Sequence, residues 1–135
     1  MVKRGRRPEP PVEAMTSCLI VDDSRVVRMV ARKILEGLEF EVSEAEDGKT
    51  ALGLCVKHMP DAVLVDWKMP IMSGIEFLRA LRNMEDISQP VVIVCSVYND
   101  APHIAEAIDA GADEYIMKPF DTDIMRSKLD QVGLL

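Results

Sequence analysis

Five short apolar runs recur along the chain, and each is followed by a segment whose apolar positions return every three to four residues. The runs are Cys18–Val21, Glu41–Ala45, Ala62–Val65, Val91–Cys95 and Glu114–Met117. Cys18–Val21, Ala62–Val65 and Val91–Cys95 are continuously apolar rather than strictly alternating, the pattern of strands buried on both faces of a parallel sheet. Between them the helical period is carried first by Val27, Val30, Ala31, Ile34 and Leu35, with Arg25, Arg28, Arg32 and Lys33 opposite. Ala51, Leu52, Leu54, Cys55 and Val56 carry the second helix, closed by Met59-Pro60. Ile75, Phe77, Leu78, Leu81 and Met84 carry the third, and Ile104, Ala105, Ala107 and Ile108 the fourth. A fifth is predicted from about Thr122 to Val132.

The punctuation agrees with this alternation. Ser24 is placed to cap the first helix and Gly37 to end it. Asp47-Gly48 turns into the second helix, Pro70 and Gly74 shape the loop before the third, and Pro102 suits the first turn of the fourth. Ala110-Gly111 ends that helix, and Asp121 or Thr122 caps the fifth. Five strand–helix units predict an α/β fold, a doubly wound parallel sheet; right-handed crossovers leave few topologies, of which the flavodoxin-like (βα)5 strand order 2-1-3-4-5 is the common one and the one expected here. In that order strands 1 and 3 are neighbours whose helices leave to opposite faces. A crevice opens at their carboxyl ends.

Composition narrows the class. The 135 residues suffice for one domain with a real core. No apolar run is long enough to span a membrane, and there is no apolar signal segment at the start. Cys18, Cys55 and Cys95 fit neither a disulfide framework nor a metal spacing, which points to a reducing, cytoplasmic setting with structural thiols. The net charge of −7 argues against direct DNA binding through a basic face. Residues 1–14 carry Lys3, Arg4, Arg6 and Arg7 against Glu9 and Glu13, a balance of +2 that leaves −9 for the remainder. This basic, proline-containing stretch lacks apolar periodicity and is expected to be a disordered tail, with the domain spanning 15–135.

The strand ends hold the chemistry. The first run stops at Asp22-Asp23-Ser24, the third at Asp66, the fourth at Ser96 and the fifth at Lys118-Pro119. A parallel sheet brings these ends to one crevice, so three carboxylates, a hydroxyl and an ammonium are expected to meet. Carboxylates grouped in this way make a hard oxygen site for Mg²⁺. Ser96 and Lys118 can contact a phosphoryl group, with Asp66 as the nucleophile. Taken singly, each residue could equally be a turn or surface residue; their joint placement carries the reading. A phosphatase of the aspartate-nucleophile type typically has a second acid two residues after the nucleophile, where Lys68 stands. His58 and His103 fit no ligand pattern and are expected at the surface.

The segments Val21-Asp22-Asp23-Ser24, Asp66-Trp67-Lys68-Met69-Pro70 with Ser73-Gly74, Cys95-Ser96, Gly111–Tyr115 and Lys118-Pro119-Phe120 resemble the receiver domain of bacterial two-component response regulators. The resemblance runs from about Ser17 to Leu135 and carries the same strand order. It implies that Asp66 accepts a phosphoryl group from a sensor histidine kinase or a histidine phosphotransfer protein. Asp23, Asp66 and the backbone carbonyl of Lys68 would then hold Mg²⁺, with Asp22 binding through water. Lys118 and Ser96 would contact the phosphoryl group, and the Lys118–Pro119 bond would be cis.

The same resemblance implies a switch joining Ser96 to Tyr115, whose ring turns inward and changes the α4-β5-α5 surface that meets a downstream target protein. No output domain follows the fifth helix, so the expectation is a stand-alone, monomeric signalling protein rather than an enzyme. The alternative is a phosphorelay intermediate between histidine-containing proteins. Val26 and Met29 beside Arg25 and Arg28 mark the expected kinase-docking face. Lys68 and Tyr98 occupy rim positions where they could shield an acyl phosphate from water, and Val97 stands where it could restrict small donors.

Overall fold

The structure is a computed structural model that describes residues 15–85 and 87–135; the expected tail lies outside the described residues. Five strands alternate with five helices: β1 Ser17–Val21, α1 Arg25–Gly37, β2 Glu41–Ala45, α2 Gly48–Lys57, β3 Ala62–Asp66, α3 Gly74–Arg82, β4 Val91–Ser96, α4 Ala101–Ala110, β5 Glu114–Met117 and α5 Thr122–Gln131. The strands form one parallel sheet in the order β2-β1-β3-β4-β5, as the alternation of apolar patterns predicts.

Each face of the sheet has its own core. Leu19, Val21, Val63, Val65, Val92 and Val94 project to the side covered by α2, α3 and α4, where Phe77, Leu78 and Leu81 are fully buried. The intervening residues Cys18, Ile20, Leu64, Ile93, Cys95 and Ile116 face α1 and α5, against Ala31, Leu35, Met125 and Leu129. Successive strand residues thus serve opposite faces, and both sets must be apolar. That accounts for the continuous runs. Burying one such large side chain contributes about 1.5–3 kcal/mol, so the two layers together fix the strand register.

The three cysteines are free and buried, in keeping with a packing role. Burial pushes the thiols of Cys18 and Cys95 up to about 12 and that of Cys55 to about 11, which suppresses the reactive thiolate.

Local signals place the helix starts. Ser24, Asp47, Ser73, Asp100 and Asp121 each accept from a backbone N–H in the first turn of the helix they precede. Of the two candidates before α5, Asp121 is the cap. Ser73 and Glu76 complete a reciprocal capping box at α3. Gly111 ends α4 at φ 113°, a left-handed position where glycine carries no steric cost.

Candidate functional site at the carboxyl edge of the sheet

The strand register decides which side chains meet. Val21 pairs with Val65, Asp66 with Cys95, and Ser96 with Met117. Asp22, Asp66, Ser96 and Lys118 therefore emerge at one edge, where β1 and β3 part. One carboxylate oxygen from each of Asp22, Asp23 and Asp66 lies within 4.8 Å of the others. Asp22 and Asp66 are buried, while Asp23 is exposed.

Asp22 is tied down at every polar atom. Its N–H donates to Ala45 O at 3.1 Å, and its Oδ1 accepts from the Ser24 N–H at 2.9 Å. Its Oδ2 accepts from Lys118 Nζ at 2.8 Å, and its carbonyl accepts from Arg28 Nη1 at 2.6 Å. Asp66 meets the same Lys118 ammonium at 3.1 Å through Oδ1. One cation thus offsets two of the three acids.

The charges of this group are strongly conditioned by their surroundings. Burial, then the charge of Asp22, raises the Asp66 carboxyl above the usual carboxylate range, and Lys118 offsets this only in part. Burial works to lower the Lys118 ammonium, but its contacts with Asp22 and Asp66 prevail and raise it.

Lys118 is aimed by its backbone. The Lys118–Pro119 peptide bond is cis, and the Lys118 N–H donates to Ser96 O at 2.8 Å. Ser96 is buried, and its Oγ accepts from the Tyr98 N–H at 3.0 Å. The Tyr115 hydroxyl donates to Tyr98 O at 2.7 Å, and its ring is only 6% exposed although β5 is an edge strand. The side chain of Lys68 stands exposed on the rim.

The loop after Asp66 is built by close approach. The Gly74 N–H donates to Trp67 O at 2.8 Å, and a Cβ on Gly74 would lie 2.0 Å from Asp66 O. Ile71 takes φ 71° in a three-residue turn closed by Met72 N–H on Pro70 O at 2.7 Å. A positive φ is costly for a β-branched residue.

Beside the acids runs an apolar groove of about 340 Å³ lined by Val26, Val27 and Val30 of α1 together with Val97, Lys118, Pro119 and Phe120. Val26 and Met29 are largely exposed, as the docking-face reading expects. Arg28 departs from it. Its side chain turns inward, 12% exposed, against Glu44 and the Asp22 carbonyl. His58 is exposed, whereas His103 is half-buried and stacks on Tyr98, a placement its sequence context did not signal.

Comparison with known proteins agrees with this geometry. Residues 18–130 match the model of the response regulator receiver domain. The chain belongs to that family. It is 37% identical over 115 residues to chemotaxis protein CheY-3 of Vibrio cholerae, covering 84% of this chain and 88% of that protein. It is 40% identical over 106 residues to chemotaxis protein CheY of Bacillus subtilis, covering 78% of this chain and 87% of that one. The solved structure of Vibrio cholerae chemotaxis protein CheY4 superposes with a TM-score of 0.83 at 29% identity, covering 88% of this chain and 99% of that one. The five-stranded order and the receiver assignment are thus established together. Among the described residues no helix is long and apolar enough to cross a membrane.

Proposed function

We propose that this receiver domain carries a signal by accepting a phosphoryl group on Asp66 from a histidine kinase or a histidine phosphotransfer protein. The observation that carries the reading is the convergence of Asp22, Asp23 and Asp66 within 4.8 Å, with the Lys118 ammonium bonded to two of them. A carboxylate oxygen of Asp66 attacks the phosphorus of a phosphohistidine. The O–P bond forms as the N–P bond breaks, and its electron pair returns to the imidazole. Lys118 meets the incoming negative charge, and the Ser96 hydroxyl, already accepting from Tyr98, keeps its proton for a phosphoryl oxygen.

The donor set is all oxygen and mostly anionic, which suits Mg²⁺. Asp23, Asp66 and the Lys68 carbonyl would hold the ion, with Asp22 acting through water because both its oxygens are engaged. When bound, the ion would neutralise charge built up between phosphoryl and carboxylate oxygens.

The groove along α1 gives the donor a place to dock. Val26 and Val30 offer apolar surface next to Lys118, and Arg25 remains exposed for an acidic partner. The response leaves through Ser96 and Tyr115 to the surface of α4, β5 and α5, where a target protein binds. This is signalling in the cytoplasm rather than turnover of a free substrate.

Beryllofluoride with Mg²⁺, a phosphoryl mimic, tests the reading by amide chemical shifts. The parent chain should show shifts at Ser96 and Tyr115, and Asp66→Asn should abolish them. Persistence of those shifts in Asp66→Asn would remove Asp66 as the acceptor.

A further inference from the structure

The ring of Tyr98 sits in an aromatic stack that none of the roles above uses. Its centroid lies 4.0 Å from that of His103 with the planes 16° apart. Trp67 meets both rings edge-on, at 5.9 Å and 5.0 Å. His103 is held from its other side by Asp100, whose carboxylate oxygens lie 2.8 and 2.7 Å from its Nδ1. Asp100 also caps α4. The stack therefore joins the start of α4 to Trp67, the residue directly after Asp66.

The main chain of Tyr98 gives this stack its consequence. Its N–H donates to Ser96 Oγ and its carbonyl accepts from the Tyr115 hydroxyl. One residue thus orients the Ser96 hydroxyl and keeps the Tyr115 ring inside. Val97, Asn99 and Asp100 around it are exposed, so the loop has little packing of its own. The half-buried ring of Tyr98 is the side chain that packs this loop against Trp67 and His103.

We propose that the His103–Tyr98 stack is a positioning device for the switch. It holds the Tyr98 main chain where Ser96 and Tyr115 both bond to it, and so favours the inward arrangement of Tyr115. In the proposed reading a phosphoryl group on Asp66 favours the same arrangement. Two influences that favour one state strengthen each other reciprocally. Loss of the stack then weakens binding at Asp66 although neither ring touches the reacting atoms. Tyr98 and His103 are positioning residues, and the coupling to Asp66 rests on the function proposed above.

The sequence contains two tyrosines, so 3-fluorotyrosine labelling gives two fluorine signals that Tyr115→Phe assigns. In His103→Ala the Tyr115 signal should move toward its solvent-exposed position. Beryllofluoride affinity in Mg²⁺ should fall about two- to tenfold, the range an aromatic pair supplies. His103→Phe keeps a stacked ring and should restore both. A core variant such as Leu81→Val, lowering the melting temperature comparably, should leave both unchanged. The proposal is overturned if His103→Ala leaves the Tyr115 signal in place, or if His103→Phe does equal damage. If beryllofluoride fails to bind the parent chain, the acceptor role of Asp66 falls, and the fluorine comparison alone decides the stack.

Discussion

The guanidinium of Arg28 donates to the backbone carbonyl of Asp22 at 2.6 Å while Glu44 accepts from the same group at 2.9 Å. Strand β2, helix α1 and the acidic turn are thereby locked together, and Glu44 neutralises a cation that would otherwise face the acids. Arg28→Ala should free the Asp22 carbonyl and lower stability by about 1.5–3 kcal/mol, the scale of a charge-assisted hydrogen bond. It should also weaken Mg²⁺ binding, read by fluorescence of Trp67, the only tryptophan. Arg32→Ala removes contacts to Glu36 and Glu44 but none to Asp22, and should leave Mg²⁺ affinity intact. Equal affinity in Arg28→Ala and parent would show that the carbonyl contact does not position the acids.

Asp66 carries a stability cost with a definite pH dependence. Burial and the charge of Asp22 raise its folded-state pKa above the unfolded value. A group raised in this way favours folding while protonated, and that contribution disappears as pH rises through the folded value. At pH 7 the charged side chain therefore works against the fold. Asp66→Asn should be more stable than the parent at pH 7, by on the order of 1 kcal/mol, with the advantage shrinking as pH falls through the raised folded-state value and gone below the unfolded value of about 4. Thermal melts at the two pH values check this, and a destabilised Asp66→Asn at pH 7 would contradict it.

Much of the fold is legible because its signals are local. The runs at Cys18–Val21 and Val91–Cys95 are continuously apolar since both sheet faces are covered, and Asp47, Ser73 and Asp121 announce their helices within three residues. The acids could be found because strand ends in a parallel sheet share one edge. What stayed hidden depends on separations that periodicity does not encode. Arg28 has the spacing of an exposed α1 face, yet its long side chain folds back to Glu44, 16 residues away. His103 looks like a solvated first-turn residue until α4 is docked and its ring meets Tyr98 and Trp67.

Gly74 illustrates the same limit and yields a prediction. The sequence marks it as shaping the turn into α3 but not the close approach that its missing side chain allows, with Asp66 O 2.0 Å from where a Cβ would stand. Neither partner can yield cheaply, because both are backbone. Gly74→Ala should cost at least about 1–3 kcal/mol, the usual scale of overpacking. The displaced Asp66 should bind beryllofluoride more weakly even where the protein remains folded. Gly53 has no atom within 4 Å of its ideal Cβ, and Gly53→Ala, lying within α2, should instead stabilise by roughly 0.5–1 kcal/mol. Denaturant melts of the two variants in parallel check the contrast.

The lifetime of the acyl phosphate should depend on the rim. Lys68 is exposed beside Asp66, and Tyr98 is half-buried, with its ring packed on His103 and Trp67. On the proposed function these two groups would shield the phosphorus from water, and neither supplies a carboxylate that would orient it. Slow self-dephosphorylation is the expected behaviour. The double substitution Lys68→Asn and Tyr98→Glu replaces a long cation and a large ring with an amide and a carboxylate that can orient water. It should shorten the phosphoryl lifetime about tenfold or more, the lower side of what a positioned acid–base group contributes. Radiolabel loss from the isolated phosphoprotein measures it. A lifetime in the double variant equal to or longer than that of the parent would mean that access is controlled elsewhere, with Val97 at the mouth of the α1 groove the next residue to test.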